Sequence, residues 1–272
     1  MIPAAFSYKR AGSVGEALDL VAEHGEDAKF LAGGHSLLPL MKLRLAVPEV
    51  LVDIGRLGEL SYVRADNGDI AVGALTSYHD LAGSSLLARE LPLLACAASQ
   101  VGDPQVRHRG TIGGSLAHAD PAADLPAVIL ALDAVLVARG PSGVREIAAA
   151  DFFVGLFESA LEPGELLTEI RIPRPAAAGW SFQKFTKRAI DWAIVGVAVT
   201  GSRVALVNMG QQPVRASAVE QALAAGAAPR DAAALAADGT SPPDDLNGDA
   251  RYRAHLARVL TARALAEAAA RG

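Results

Sequence analysis

The sequence predicts an α+β protein with two α/β subdomains, residues 1–56 and 57–175, followed by a small C-terminal α/β domain, residues 176–272. Three observations carry that expectation. A strand-like run enters a glycine pair and then a helical segment at Lys29-Phe-Leu-Ala-Gly-Gly-His-Ser36, and the arrangement recurs at Gly110-Thr-Ile-Gly-Gly-Ser-Leu116. Short apolar runs alternate with helical stripes as far as a break at Pro173-Arg-Pro175. Past Gly210 the texture changes to Ala-rich helices.

In chain order, Ser13-Val-Gly-Glu16 has the pattern of a capping box, and Ala17, Leu18, Val21 and Ala22 give a helical apolar stripe that stops near Gly25. Residues 27–32 read as a strand, residues 37–45 as a helix opened by Ser36, and residues 50–54 as a compact buried strand. The runs 60–64 and 69–73 are split by Asp66-Asn-Gly68, a strong hairpin signal. Helices over 77–82 and 91–100 lead into the second glycine loop. Residues 124–133 form a buried helix with Pro126 tolerated in its first turn, followed by strands near 134–138 and 144–147. The runs 166–172, 180–187, 194–200 and 204–209 read as one meander-like sheet. Helices over 216–225 and 231–237, a Pro/Asp/Gly loop over 239–248 and a long helix over 252–270 complete the chain. The arginines of that last helix read as a solvated charged face.

Composition narrows the function. Of 272 residues 51% are hydrophobic and 20% charged, which supports two or three modest globular cores. A net charge of −5 argues against a grip on nucleic-acid phosphates. No apolar run approaches the roughly 18 residues of a membrane span, and the N-terminal charges follow the apolar residues, the reverse of a secretory signal. The expectation is a cytoplasmic protein with no transmembrane segment. The single cysteine, Cys96, excludes an internal disulfide and an iron–sulfur cluster, which needs about four thiolates.

Paired glycines allow close approach to the main chain, and successive backbone N–H groups beside a helix start favour an anion. Two such cradles can grip a diphosphate from opposite sides. Neither loop has the spacing Gly-x-x-x-x-Gly-Lys-Ser/Thr or Gly-x-Gly-x-x-Gly, and one such turn alone is more often only a tight turn. Other readings weigh less. Ser115, His118 and Asp120 have no nucleophile elbow around them. His108, His118 and Asp120 lack a zinc spacing. His35 either donates to a phosphate or orients its loop, and Asp124 caps its helix, contacts a ligand, or does both.

The stretches Phe30-Leu-Ala-Gly-Gly-His-Ser-Leu-Leu-Pro-Leu-Met-Lys-Leu-Arg-Leu45, Thr111-Ile-Gly-Gly-Ser-Leu-Ala-His-Ala-Asp-Pro-Ala-Ala-Asp-Leu-Pro126, Asp151-Phe-Phe153, Glu165 to Pro173 and Val207-Asn-Met-Gly-Gln-Gln-Pro-Val-Arg215 closely resemble the FAD-binding medium subunits of molybdenum hydroxylases. Within that family, which includes the xanthine dehydrogenase FAD domain, the nearest likeness is to carbon monoxide dehydrogenase medium subunits. The resemblance covers nearly the whole chain. It implies a vanillyl-alcohol-oxidase-type FAD-binding fold and FAD as the cofactor. By the same resemblance Ala32, Gly33, Gly34, His35 and Ser36 form the first cofactor loop, and Thr111, Ile112, Gly113, Gly114 and Ser115 the second. Asp124, Lys184, Val101 and Leu161 match further contacts, and Trp192 stands beside the flavin ring. Two positions depart from the family pattern. Ser115 replaces an Asn, which shortens a polar side chain, and Trp192 replaces a Tyr, which exchanges a hydroxyl for an indole N–H.

The resemblance further implies a heterotrimer with a small iron–sulfur subunit and a large molybdopterin subunit, assembled as a dimer of heterotrimers. Molybdopterin and the clusters belong to those partners. Electrons would pass from the clusters through FAD to an external acceptor such as quinone, and no residue of this chain need be catalytic or bind a metal. The alternatives are a medium subunit serving a purine, aldehyde, N-heterocycle or aromatic acyl-CoA hydroxylase, a stand-alone flavin oxidase or dehydrogenase, and a nucleotide-dependent scaffold.

Overall fold

The computed structural model describes residues 2–174 and 178–272. The first part contains β1 (Ser7–Arg10), α1 (Val14–His24), β2 (Ala28–Leu31), α2 (Leu37–Lys42) and β3 (Val50–Asp53). Its three strands are parallel in the order β1-β3-β2. Parallel neighbours need crossovers, which α1 and α2 supply. Ser13 accepts from Glu16 N at 3.1 Å, while Glu16 reaches Gly12 N at 2.7 Å, so the expected capping box closes one residue early. Val14, Ala17 and Val21 then bury against Ala28, Val50 and Val52.

The second part opens with the hairpin β4 (Val63–Asp66) and β5 (Asp69–Gly73), turned by Asn67 and Gly68 at φ 45° and 96°. Six helices follow: α3 (Tyr78–Gly83), α4 (Ser85–Glu90), α5 (Pro92–Ser99), α6 (Pro104–Arg107), α7 (Ile112–His118) and α8 (Asp124–Ala131). Next come β6 (Val135–Gly140), β7 (Gly143–Ala148), α9 (Ala149–Phe152), the small hairpin β8 (Phe153–Gly155) and β9 (Glu158–Ser159), and β10 (Leu166–Pro173). The five long strands form an antiparallel sheet in the order β4-β5-β10-β6-β7. This corrects the expected meander. Residues 166–172 lie at the centre of this sheet because Leu166 enters the first core while Leu167, Ile170 and Ile172 enter the second.

The third part holds β11 (Trp180–Phe185), β12 (Val195–Thr200), β13 (Arg203–Val207) and β14 (Val214–Arg215), an antiparallel meander in sequence order. It ends with α10 (Ser217–Ala224), α11 (Pro229–Ala233) and α12 (Ala250–Arg271). Val197, Val199 and Leu206 face Leu256 and Leu260 of α12, while Ala198, Ala205 and Val207 belong to the core around α8. Burial on both faces explains why β12 is apolar almost throughout. The arginines of α12 divide, contrary to the solvated reading: Arg251, Arg258, Arg263 and Arg271 are exposed, but Arg253 is fully buried. The expected boundary at 175/176 lies outside the described residues. Among those described, no helix is long and apolar enough to cross a membrane.

Candidate cofactor site

A cavity of about 1,100 Å³ is lined by both glycine loops, α8, β11 and the turn before β12. It lies just above the usual range for small-molecule pockets, about 300–1,000 Å³, so it admits a long ligand.

The first loop leaves the C-terminal end of β2. Gly34 sits at φ +77°, a region that L side chains rarely adopt. A Cβ on Gly33 would overlap the Arg109 carbonyl and stand 3.1 Å from Gly110 Cα, so the first loop rests directly on the approach to the second. Among the described residues no acceptor takes up the N–H groups of Gly33, Gly34, His35 or Ser36. All four residues line the cavity, which makes an open nest for an anion.

The second loop differs. Thr111 caps α7, and the N–H groups of Ile112, Gly113, Gly114 and Ser115 donate to Thr76 O at 3.0 Å, Ala74 O at 2.8 Å, Thr111 Oγ1 at 3.1 Å and Thr111 O at 3.1 Å. Gly113 is required by packing, since a Cβ there would meet Ala74 Cβ at 2.5 Å. The expected pair of amide cradles is therefore one open nest facing a closed wall. Thr111, Gly113, Gly114 and Ser115 line the cavity, whereas Ile112 is wholly buried away from it.

A buried ion pair stands further along the wall. The Asp124 Oδ2 is 2.6 Å from Lys184 Nζ, which also donates to Gln100 O at 3.2 Å. Ala123, not Asp124, is the N-cap of α8, and the Asp124 carboxylate makes no capping bond, which removes the capping reading. The other oxygen, Oδ1, is buried without a partner. Burial pushes the Asp124 carboxyl up to about 6 even though the Lys184 ammonium pulls it down. Tyr78, also lining the cavity, is pushed up to about 12 by burial, against the Ser115 hydroxyl beside it.

Val101 and Trp192 complete this wall, and Trp192 is 61% exposed. Leu161 lies in the loop between β9 and β10, where it lines the cavity and packs against the core of the second part. His118 stacks on Phe157 with centroids 5.1 Å apart, and burial lowers its pKa against the pull of Asp120. Asp120 accepts from Ala122 N at 2.9 Å, so it closes a turn instead of orienting a histidine for Ser115. Among the described residues no group of three His, Cys, Asp or Glu side chains could hold a metal ion. Tyr78 was missed by sequence reasoning. Its only local signal is Gly110, where a Cβ would stand 2.5 Å from the Tyr78 ring.

Residues 4–175 match the family described as FAD binding domain in molybdopterin dehydrogenase, and residues 180–268 match the CO dehydrogenase flavoprotein C-terminal domain. The chain belongs to this family of FAD-binding subunits of molybdenum hydroxylases. It is similar to the carbon monoxide dehydrogenase medium chain of Hydrogenophaga pseudoflava, 43% identical over 285 aligned positions that cover 100% of this chain and 99% of the relative. It is 40% identical to the 6-hydroxypseudooxynicotine dehydrogenase complex subunit alpha of Paenarthrobacter nicotinovorans, covering 98% of this chain and 96% of that one. A solved structure of Hydrogenophaga pseudoflava carbon monoxide dehydrogenase lacking the Mo-pyranopterin moiety superposes with a TM-score of 0.96 at 44% identity, covering 100% and 99% of the two chains. The fold implied by the resemblance is thus the fold found. The residues present also fit FAD: free amides suit a diphosphate, and the unpartnered Asp124 Oδ1 offers an acceptor for a hydroxyl or ring N–H.

Proposed function

We propose that this chain is the electron-transfer subunit of a heterotrimeric molybdenum hydroxylase most like carbon monoxide dehydrogenase. It would work with a small iron–sulfur subunit and a large molybdopterin subunit, in a dimer of heterotrimers. The observation that carries the reading is the unpartnered Oδ1 of Asp124, a carboxylate that Lys184 holds through Oδ2, in the same cavity as the four free amides. When bound, FAD would supply the redox chemistry that links the partner's clusters to an external acceptor such as quinone.

This chain's residues bind and orient. The amides of Gly33 to Ser36 hold the diphosphate, with Ala32 and His35 shaping the nest. Thr111 and Gly113 to Ser115 form the opposing wall. Lys184 stabilises the ionised Asp124, whose free oxygen accepts a hydrogen bond, while Val101 and Leu161 give apolar walls. Trp192 screens the mouth from water and sets access for the acceptor. The division into 1–56, 57–175 and 176–272 belongs to the same proposal.

A visible spectrum of the purified chain, before and after adding FAD and then dithionite, tests the reading. Flavin bands that appear and bleach are expected. Gly34→Val should weaken FAD binding about tenfold, because a side chain is strained at φ +77° and its Cβ would stand 2.9 Å from Leu38 Cδ1. Its far-UV circular dichroism should stay that of the wild type. A variant that retains stoichiometric flavin with unchanged affinity would overturn the role of this nest.

A further inference from the structure

The cavity wall formed by Leu161, Glu162, Pro163 and Gly164 has no regular structure, yet one side chain ties both of its ends. Arg145 on β7 donates through Nε to Glu165 Oε1 at 2.7 Å and through Nη2 to Glu165 Oε2 at 2.7 Å. The same Nη2 donates to Ala160 O at 2.6 Å. Glu165 Oε2 also accepts from Glu162 N at 2.7 Å, and Glu165 N donates to Glu162 O at 3.0 Å. A planar guanidinium fork thus closes the loop between its two anchors, a geometry that a lysine cannot reproduce. The contact holds the Glu165 carboxyl below its usual range.

We infer that Arg145 is a positioning residue for the cofactor: it fixes the 161–164 wall against which the adenosine end of FAD rests. The inference rests on the function proposed above. Placement of that end follows from the surroundings. Leu166, the residue after Glu165, packs with Val21 and Ala28 in the core of the first sheet, and β2 leads from that core to the free amides. Asp124, Lys184 and Trp192 stand on the wall made by α8, β11 and the turn after it. With the diphosphate on the amides and the flavin ring at Trp192, the adenosine is the end of the cofactor left for the loop that leads into Leu166. The Arg145 side chain is 39% exposed but that of Glu165 only 7%, so losing the arginine carries a modest stability cost, limited by the Glu162 amide that Glu165 keeps. Its effect is to spare the cofactor the cost of ordering the loop.

The test compares Arg145→Met and Arg145→Lys with the wild-type full chain, stripped of flavin and titrated with FAD. Arg145→Met should weaken FAD about tenfold, the cost of ordering a few side chains on binding, and Arg145→Lys should rescue it only in part. The spectrum of the flavin at saturation should be unchanged, because the ring lies elsewhere, and the flavin-free melting temperature should fall by no more than about 5 °C. Unchanged affinity overturns the inference alone. So does lost affinity accompanied by an altered flavin spectrum or a large fall in melting temperature, which would mark a fold-wide effect. A wild-type chain that takes up no FAD removes the proposed function and, with it, this inference.

Discussion

Exchanging Arg253 for methionine is expected to destabilise the chain by about 2–4 kcal/mol, which for a chain of this size lowers the melting temperature by about 8 °C. Arg253 is fully buried where α12 crosses the end of β12. Its Nη1 donates to Ile194 O, its Nε to Gly248 O at 3.3 Å, and its Nη2 stands 2.7 Å from Asp245 Oδ2. Replacing both members of a buried ion pair with apolar groups is often neutral, because both desolvation costs vanish together. That route is closed here. Two of the three partners are backbone carbonyls that no substitution removes, so methionine leaves them only longer contacts, Asn208 Nδ2 at 3.4 Å from Ile194 O and Asp245 N at 3.3 Å from Gly248 O. The loss reaches the cavity, since Ile194 follows Trp192 by two residues, and that turn would then rest on Asn208 Nδ2, at 2.9 Å from Ala193 O, and on Ile194 N, at 2.8 Å from Phe185 O. Arg263→Met, on the exposed face of the same helix, should change stability by no more than about 0.5 kcal/mol. Thermal and urea unfolding of the two variants decide the matter, and equal small effects would show that the Arg253 contacts carry no stability.

Arg253 also shows where sequence reasoning runs out. Periodicity assigns faces to a helix, but it does not say that α12 is covered by β11 and β12 on one side and approached by the 245–248 loop at its start. One arginine in the row therefore reads like its neighbours. The glycine pairs were legible because φ +77° at Gly34 and the contact of Gly113 with Ala74 are demands that only glycine meets. Which loop keeps its amides free was not legible, since that is settled by the carbonyls of Ala74 and Thr76, more than 30 residues upstream of the loop that docks on them. The same distance hides Lys184 from Asp124, 60 residues apart. Only the family resemblance linked the two. For residues 166–172, adjacency to later strands favoured the meander, while two cores on either side of the strand decided otherwise.

Asp124→Asn is expected to weaken FAD binding about hundredfold near pH 7.5, the loss of one hydrogen bond to a charged acceptor, and to abolish the pH dependence of that binding. In the cofactor-free chain the Asp124 carboxyl is raised from 3.8 to about 6. A raised pKa means that folding favours the protonated form, so this group's contribution is most favourable below about pH 4 and is lost as pH rises through 6. The ionised state then costs about 3 kcal/mol relative to an exposed carboxylate. Lys184 does not offset the burial, because it serves only one of the two oxygens. A cofactor hydroxyl or N–H on Oδ1 would complete the solvation of the anion and draw the pKa down. Binding must then expel the proton wherever one is present. FAD affinity should accordingly rise with pH by up to about tenfold per unit below 6 and level off above 7. Asparagine cannot ionise, and its profile should be flat over that window. Titrating FAD between about pH 5 and pH 8 separates the outcomes. A flat wild-type profile, or the same slope in the Asn variant, would mean that Oδ1 is not the atom that receives the cofactor, and the cavity would have to hold it by the Gly33 to Ser36 amides alone.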